Sequence, residues 1–205
     1  MLKLNRVYSL LVWLSFIVVF TGCKQAEQEP QQEVKYPIAK VSTRLGDMYF
    51  WMYDATPNHK AKFIELAEAK HYNQFTFNRV IRHFVIQGGC PDSVKYFENS
   101  PFLIDPEFVD TIGHHYGALG MGRDDNPKKQ SNACQFYVVN KEQGLPNLDG
   151  DYMIFGTIIK GTDLLESIEK VLTDATSTPK EDIPLDVSIV QYSEEALLAE
   201  FGLRL

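Results

Sequence analysis

The chain has 205 residues, of which 44% are hydrophobic, 12% aromatic and 23% charged, a composition that fits one globular domain with extra segments and excludes a disordered or fibrous protein. Its formal net charge is -7 and no basic stripe runs along it. That balance argues against nucleic acid as a partner, because phosphate binding needs clustered Lys and Arg.

At the N-terminus, Lys3 and Arg6 precede an uncharged, mostly apolar run from Val7 to Phe20. The run is shorter than the roughly 20 apolar residues a spanning helix needs, and has the length and flanks of a secretory signal. It ends in Phe20-Thr21-Gly22-Cys23, which resembles the processing site of bacterial lipoproteins, with Phe20 where Leu is usual. The resemblance implies a signal peptide over residues 1–22, lipidation of Cys23, and a place in the bacterial cell envelope, anchored to a membrane and facing the periplasm or the surface. An uncleaved membrane anchor with an incidental Cys is the alternative. Removal of Lys3 and Arg6 with the leader leaves 18 basic against 27 acidic side chains, a net charge of -9. Residues 23–36 are rich in Gln and Glu, bury no core, and read as a polar tether. The folded domain is expected over residues 37–192, followed by a helical tail over 193–205.

Within the domain, Ile38 to Thr43 and Met48 to Tyr53 read as two strands joined at Leu45-Gly46-Asp47. Thr56-Pro57 predicts a helix start, with Thr as the cap and Pro in the first turn, and apolar residues recur at helical spacing to Lys70-His71. Phe75 to Ile81 and Phe84 to Gln87 are short β-forming runs. Gly88 to Gly117 holds three prolines and reads as a long excursion. Ala133 to Asn140 and Tyr152 to Ile159 are further strands. Asp163 to Glu166 has the spacing of a capping box that opens a helix through Val171. Pro184 to Tyr192 is a last strand and Ser193 to Phe201 a short terminal helix. Strands do not alternate with helices, which points to an antiparallel sheet or closed barrel with helices packed outside it.

Cys90 and Cys134 allow one disulfide or two small buried thiols, and the sequence reading favours free thiols. No Cys or His spacing fits a metal site, and His114-His115 reads as an exposed turn. Serine-hydrolase, nucleotide-binding and metalloprotease motifs are absent from the sequence.

Three segments carry the chemistry. The first is Phe75 to Gly89, with Phe77-Asn78-Arg79-Val80-Ile81 and Phe84-Val85-Ile86-Gln87-Gly88-Gly89. Strand alternation places Phe77, Arg79 and Ile81 on one face, and Phe84, Ile86 and Gly88 on a side opposite Gln87. The second is Gly117-Ala-Leu-Gly-Met121-Gly-Arg123, then Ser131-Asn-Ala-Cys-Gln135-Phe136-Tyr137-Val138. The third is Asn147-Leu148-Asp149-Gly150-Asp151-Tyr152-Met-Ile-Phe155-Gly156. Together and in this order they resemble the cyclophilins, over roughly residues 38–192. The resemblance implies a mainly β fold, a closed antiparallel barrel with two main helices capping its ends. It also implies peptidyl-prolyl cis-trans isomerase activity.

That reaction needs no nucleophile, metal or cofactor, because no bond is made or broken. Its barrier of about 18–20 kcal/mol is the resonance of the amide C–N bond. By resemblance, Arg79 donates a hydrogen bond to the prolyl nitrogen as that nitrogen becomes pyramidal, and Gln87 holds the Arg or the substrate carbonyl. Phe84, Met121 and Leu148 form the proline pocket over Tyr137, and Gln135, Arg123 and Tyr152 complete the binding surface. The partners implied are proline-containing segments of unfolded exported proteins, bound by a monomer.

Several positions depart from the family pattern. Asn78 stands where many members have His, Tyr137 where Phe is common, Asn147 at a Trp position, Tyr152 at a pocket His, and Arg123 at an Asn. The loop Asp124 to Gln130 is longer than typical. These departures speak against tight cyclosporin binding and leave the substrate preference open. They also raise the alternative of a non-catalytic module that only holds proline-containing segments.

Overall fold

The structure, a computed structural model, describes residues 33–91 and 101–205. The leader, Cys23 and most of the tether lie outside the described residues. Ten strands and three helices occupy the described part: β1 Lys35–Thr43, β2 Gly46–Met52, α1 Pro57–Glu68, β3 Thr76–Val80, β4 Val85–Gly89, β5 Leu103–Ile104, β6 Ala118–Met121, β7 Ser131–Asn132, β8 Gln135–Val139, β9 Met153–Lys160, α2 Thr162–Glu169, β10 Asp186–Ser193 and α3 Glu194–Phe201. No helix among these residues is long and apolar enough to cross a membrane.

The domain begins earlier than its composition indicates. Lys35 and Tyr36, assigned to the tether, pair with Ser193 and Tyr192 in the β1–β10 ladder. The expected tail is likewise part of the domain. Ser193 caps α3 by accepting a hydrogen bond from the Ala196 N–H (3.2 Å), and Phe201 packs against Tyr49 and Tyr192 at ring distances of 5.5 and 5.1 Å.

Eight strands form one antiparallel sheet in the order β10-β1-β2-β9-β6-β8-β4-β3. The sheet curls into a half-barrel, and its ladder does not close as the resemblance implied. The edge strands meet only through the segment before β10. Thr76 bridges Pro184, the Phe77 N–H donates to the Ile183 carbonyl, and the Leu185 N–H donates to the Phe75 carbonyl. Pro184 has no N–H to give, so a full ladder cannot form there, and β10 starts at Asp186.

Inside the curl, Phe50, Phe63, Tyr72, Phe77, Phe136 and Phe155 are fully buried with Met48, Met52, Ile86, Leu119 and Met121. Burying each such side chain contributes roughly 1.5–3 kcal/mol. Helix α1 inserts Phe63 among Phe136, Phe155 and Tyr72 at ring distances of 5.0–5.7 Å. A second cluster of Val85, Ala118, Tyr137, Val139, Leu145 and Ile154 covers the outer face of the same central strands. Strand β8 is therefore buried at every position, and after Gln135 it reads as an apolar run from Phe136 to Val139.

Three local expectations are corrected. Thr56 does not cap α1 with its side chain; its hydroxyl bonds back to the Tyr53 carbonyl. The carboxylate of Glu107, distant in sequence, takes that role by accepting from the Asn58 and His59 N–H groups (3.0 Å each). The spacing from Asp163 to Glu166 does not make a capping box, because α2 starts from Gly161 in the left-handed region (φ 90°) with no side-chain cap. Cys90 and Cys134 are not free thiols; they form a disulfide with Cα atoms 5.5 Å apart.

Candidate active site

The functional geometry starts from an irregularity. In a regular strand Phe77 and Arg79 would share a face. The β3–β4 pairing shifts register between them, so that Phe77 pairs with Gly88 and Arg79 with Gln87. The extra residue, Asn78, forms a β-bulge. Phe77 stays in the core while Arg79 is turned to the outer face, which overturns the alternation expected from sequence. Phe84 also parts from Ile86: it sits in the β3–β4 turn against the outer cluster, while Ile86 and Gly88 stay buried in the curl.

On that outer face lies a cleft of about 370 Å³ lined by ten of the described residues. β3 supplies Arg79, the turn supplies Phe84, and β4 supplies Val85 and Gln87. β8 supplies Gln135 and Tyr137, and the segment after β6 supplies Gly122 and Arg123. Leu148 comes from the 3₁₀ turn Pro146–Leu148, and Tyr152 from the residue just before β9. All ten are set against the sequence assignment as follows. The sequence assigned Arg79, Phe84, Gln87, Arg123, Gln135, Tyr137, Leu148 and Tyr152, all of which the fold brings together. It missed Val85 and Gly122. It assigned Met121, which is fully buried in the core beside Phe136 and reaches no part of the cleft. Val85 occupies the apolar wall instead. Strict alternation through β4 would have found it, since Val85 and Gln87 share a face when Ile86 points inward.

A chain of amides fixes the cation. Arg79 Nη1 donates to Gln87 Oε1 (3.2 Å), Gln87 Nε2 donates to Gln135 Oε1 (3.2 Å), and Gln135 Nε2 donates to the Cys90 carbonyl (2.7 Å). Each amide orientation is thus set by its neighbour, and the chain ends on a residue of the disulfide. The guanidinium carbon lies 6.0 Å from the Phe84 ring centre. The other donors of Arg79 have no acceptor among the described residues.

The floor differs from expectation. The Tyr137 hydroxyl does not add polarity to the pocket. It donates to His114 Nε2 (2.8 Å), whose Nδ1–H donates to Asp149 Oδ1 (2.6 Å). His114 is therefore no exposed turn; it is 3% exposed, and burial holds its pKa below the ordinary histidine value against the pull of Asp149. Burial raises the Tyr137 pKa well above its usual range, so the phenol stays protonated. Gly120 makes room for this arrangement: a Cβ there would overlap the Tyr137 ring. Asp149 adjoins Leu148 in sequence, so the same chain of bonds holds the cleft wall.

A second buried relay lies behind α1. His59 Nδ1 bonds Glu107 Oε2 (2.5 Å) and Nε2 bonds Ser131 Oγ (3.0 Å). His59 and Ser131 are fully buried, which makes the group a structural tie. No group of His, Cys, Asp and Glu among the described residues has the arrangement of a metal site.

The fold and site together are those of a curled antiparallel β half-barrel with a half-buried arginine held over a cleft of mixed polar and apolar lining. The family model for cyclophilin type peptidyl-prolyl cis-trans isomerases matches residues 38–190. The chain is 31% identical over 155 residues to a peptidyl-prolyl cis-trans isomerase-like 2 of Rhizopus delemar, a match covering 74% of this chain and 28% of the relative. It is 31% identical over 147 residues to a peptidyl-prolyl cis-trans isomerase of Arabidopsis thaliana, covering 70% of this chain and 89% of the relative. The chain thus spans about a quarter of the length of its fungal relatives and most of the shorter plant one. A crystal structure of a Cryptosporidium parvum cyclophilin type isomerase, determined in the presence of the dipeptide Ala-Pro, superposes with a TM-score of 0.66 at 27% identity, covering 76% of this chain and 99% of that one. The chain belongs to the cyclophilin-type peptidyl-prolyl cis-trans isomerase family.

Proposed function

We propose that this chain catalyses the cis-trans isomerisation of prolyl peptide bonds, with Arg79 as its principal catalytic group. The observation that carries the reading is the Arg79 guanidinium, oriented by Gln87 beside the apolar wall of the cleft formed by Phe84, Val85 and Leu148. The proline ring sits against Phe84, Val85, Leu148 and the Tyr137 ring. As the C–N bond twists, its nitrogen lone pair leaves the amide π-system and becomes a hydrogen-bond acceptor. Arg79 donates to it only in that twisted state, so the interaction lowers the barrier without tightening the ground state. Permanent charge and planar geometry suit Arg to this role better than Lys. The test is a proline-peptide isomerisation assay. Arg79→Ala is expected to cut kcat/KM by about 100-fold, the scale of one lost transition-state donor, with the fold intact. Full activity in that variant overturns the assignment.

The clients are proposed to be exported polypeptides, met at the cell envelope by a domain tethered through lipid on Cys23. The Val7 to Phe20 run and Gly22-Cys23 support this, as does the Cys90–Cys134 disulfide, a bond favoured in oxidising compartments. Metabolic labelling with palmitate checks it: label is expected on the wild type and absent from Cys23→Ala. Unlabelled wild type in a bacterium with lipoprotein processing rejects the anchor.

A further inference from the structure

We infer that Arg123 makes this cleft selective for proline segments with a carboxylate side chain next to the proline. The inference rests on the isomerase reading and deepens it. Among the ten described lining residues, Arg79 and Arg123 are the charged ones, and none of the ten is Asp or Glu. The described lining of the cleft thus carries two cations on a chain of net charge -7, with Asp124, Asp125, Asp149 and Asp151 just outside it. Such a contrast focuses the field in the cleft and favours an anionic ligand there.

Arg123 is built into place. Its side chain is 9% exposed and its guanidinium lies 4.9 Å from the Tyr152 ring centre. Nε donates to the Asp124 carbonyl (3.0 Å) and Nη1 to the Asp151 carbonyl (2.7 Å). Both acceptors are neutral, so they orient the cation without cancelling its charge. The carboxylates around it have partners of their own: Asp124 accepts from Asn126 Nδ2 (2.7 Å) and Asp149 from His114 Nδ1 (2.6 Å). Asp151 pairs with Lys129 at 2.6 Å. Asp125 lies 3.7 Å from Nη2, beyond hydrogen-bond length, on a fully exposed side chain. Nη2 therefore keeps donor capacity for a client carboxylate, which would displace only this loose contact. A fixed guanidinium that keeps N–H donors beyond its two backbone bonds is matched to a carboxylate. A client Lys or Arg at the same position would instead add a third cation to the two already present.

The experiment uses the full chain and two series of proline tetrapeptides, with Glu, Ala or Lys placed before the proline in one and after it in the other. In at least one series kcat/KM is expected to run Glu above Ala above Lys, with Glu over Lys by about three- to tenfold at low ionic strength, shrinking in about 0.5 M salt. Arg123→Gln is expected to bring Glu and Lys peptides within about twofold of each other, and Asp125→Asn to widen the gap by removing the competing carboxylate. Equal rates for Glu and Lys in both series, or a bias that persists in Arg123→Gln, overturn the inference. If Arg123→Gln fails to fold, the Asp125→Asn shift and the salt series decide it. If even the Ala peptides are not turned over, the isomerase reading fails by itself, and calorimetric affinities of the same peptides still decide the charge preference.

Discussion

At the scale of single residues, the chemistry depends on how side chains are held. Arg79 is ordinary in composition and unusual in placement, because Gln87 and Gln135 fix its orientation through three successive bonds to the Cys90 carbonyl. Tyr137 shows the converse: it lines the cleft, while the hydroxyl that distinguishes it from Phe is tied to His114. Tyr137→Phe leaves the buried His114 Nε2 without a donor, and is expected to lower stability by about 1–3 kcal/mol in urea unfolding. Isomerase activity should change less than threefold, because the ring is retained. A large loss of activity with unchanged stability would place the hydroxyl in the reaction.

At the scale of elements, the outer face of the sheet is a fitted surface, and its fit rests on β6. Gly120 lies opposite Tyr137 in the β6–β8 ladder, and the ring occupies the space a side chain would fill. The ring cannot retreat while its hydroxyl is tied to His114. Gly120→Ala is therefore expected to cost about 1–3 kcal/mol by overpacking and to reduce kcat/KM by pushing the ring into the cleft. Tyr137→Phe in the same chain should soften both effects, which a double-mutant cycle measures directly. Helix α1 is held in a comparable way. Its free N–H groups are satisfied by Glu107, which burial alone would raise in pKa but which hydrogen bonds from His59 and the helix backbone hold below its ordinary value.

For the whole molecule, the buried histidines set the response to acid. His59, His71 and His114 all have pKa values lowered chiefly by burial. Above the ordinary histidine value of about 6.5 both folded and unfolded chains hold them neutral. Below it the unfolded chain binds protons that the folded one refuses, so stability falls as pH falls until the folded-state values are passed. The two most buried, His59 and His114, are each expected to cost up to about 1.4 kcal/mol per pH unit in that window. Glu107, depressed in the fold, adds a loss of the same sign at lower pH. Thermal unfolding should show a lower Tm at about pH 5 than at about pH 7.5. His114→Gln should flatten the slope; an unchanged slope would show that His114 titrates normally.

Much of this protein was legible before its fold. The order of the strand segments and the helix after Pro57 followed from local pattern, because short-range periodicity and residue type are properties of the chain itself; Arg79, Phe84, Gln87, Gln135 and Leu148 were singled out by the resemblance of three segments in order to the cyclophilins. Three things were not. The bulge at Asn78, which turns Arg79 away from Phe77, exists only in the pairing of β3 with β4. The exchange of Met121 for Val85 on the cleft wall depends on which face each strand gives to the core. The bonds joining Tyr137, His114 and Asp149, like that between Cys90 and Cys134, link positions far apart along the chain. A sequence specifies what each segment prefers, but register, facing and long-range partners are decided when segments compete for one core and every buried polar group must find a partner.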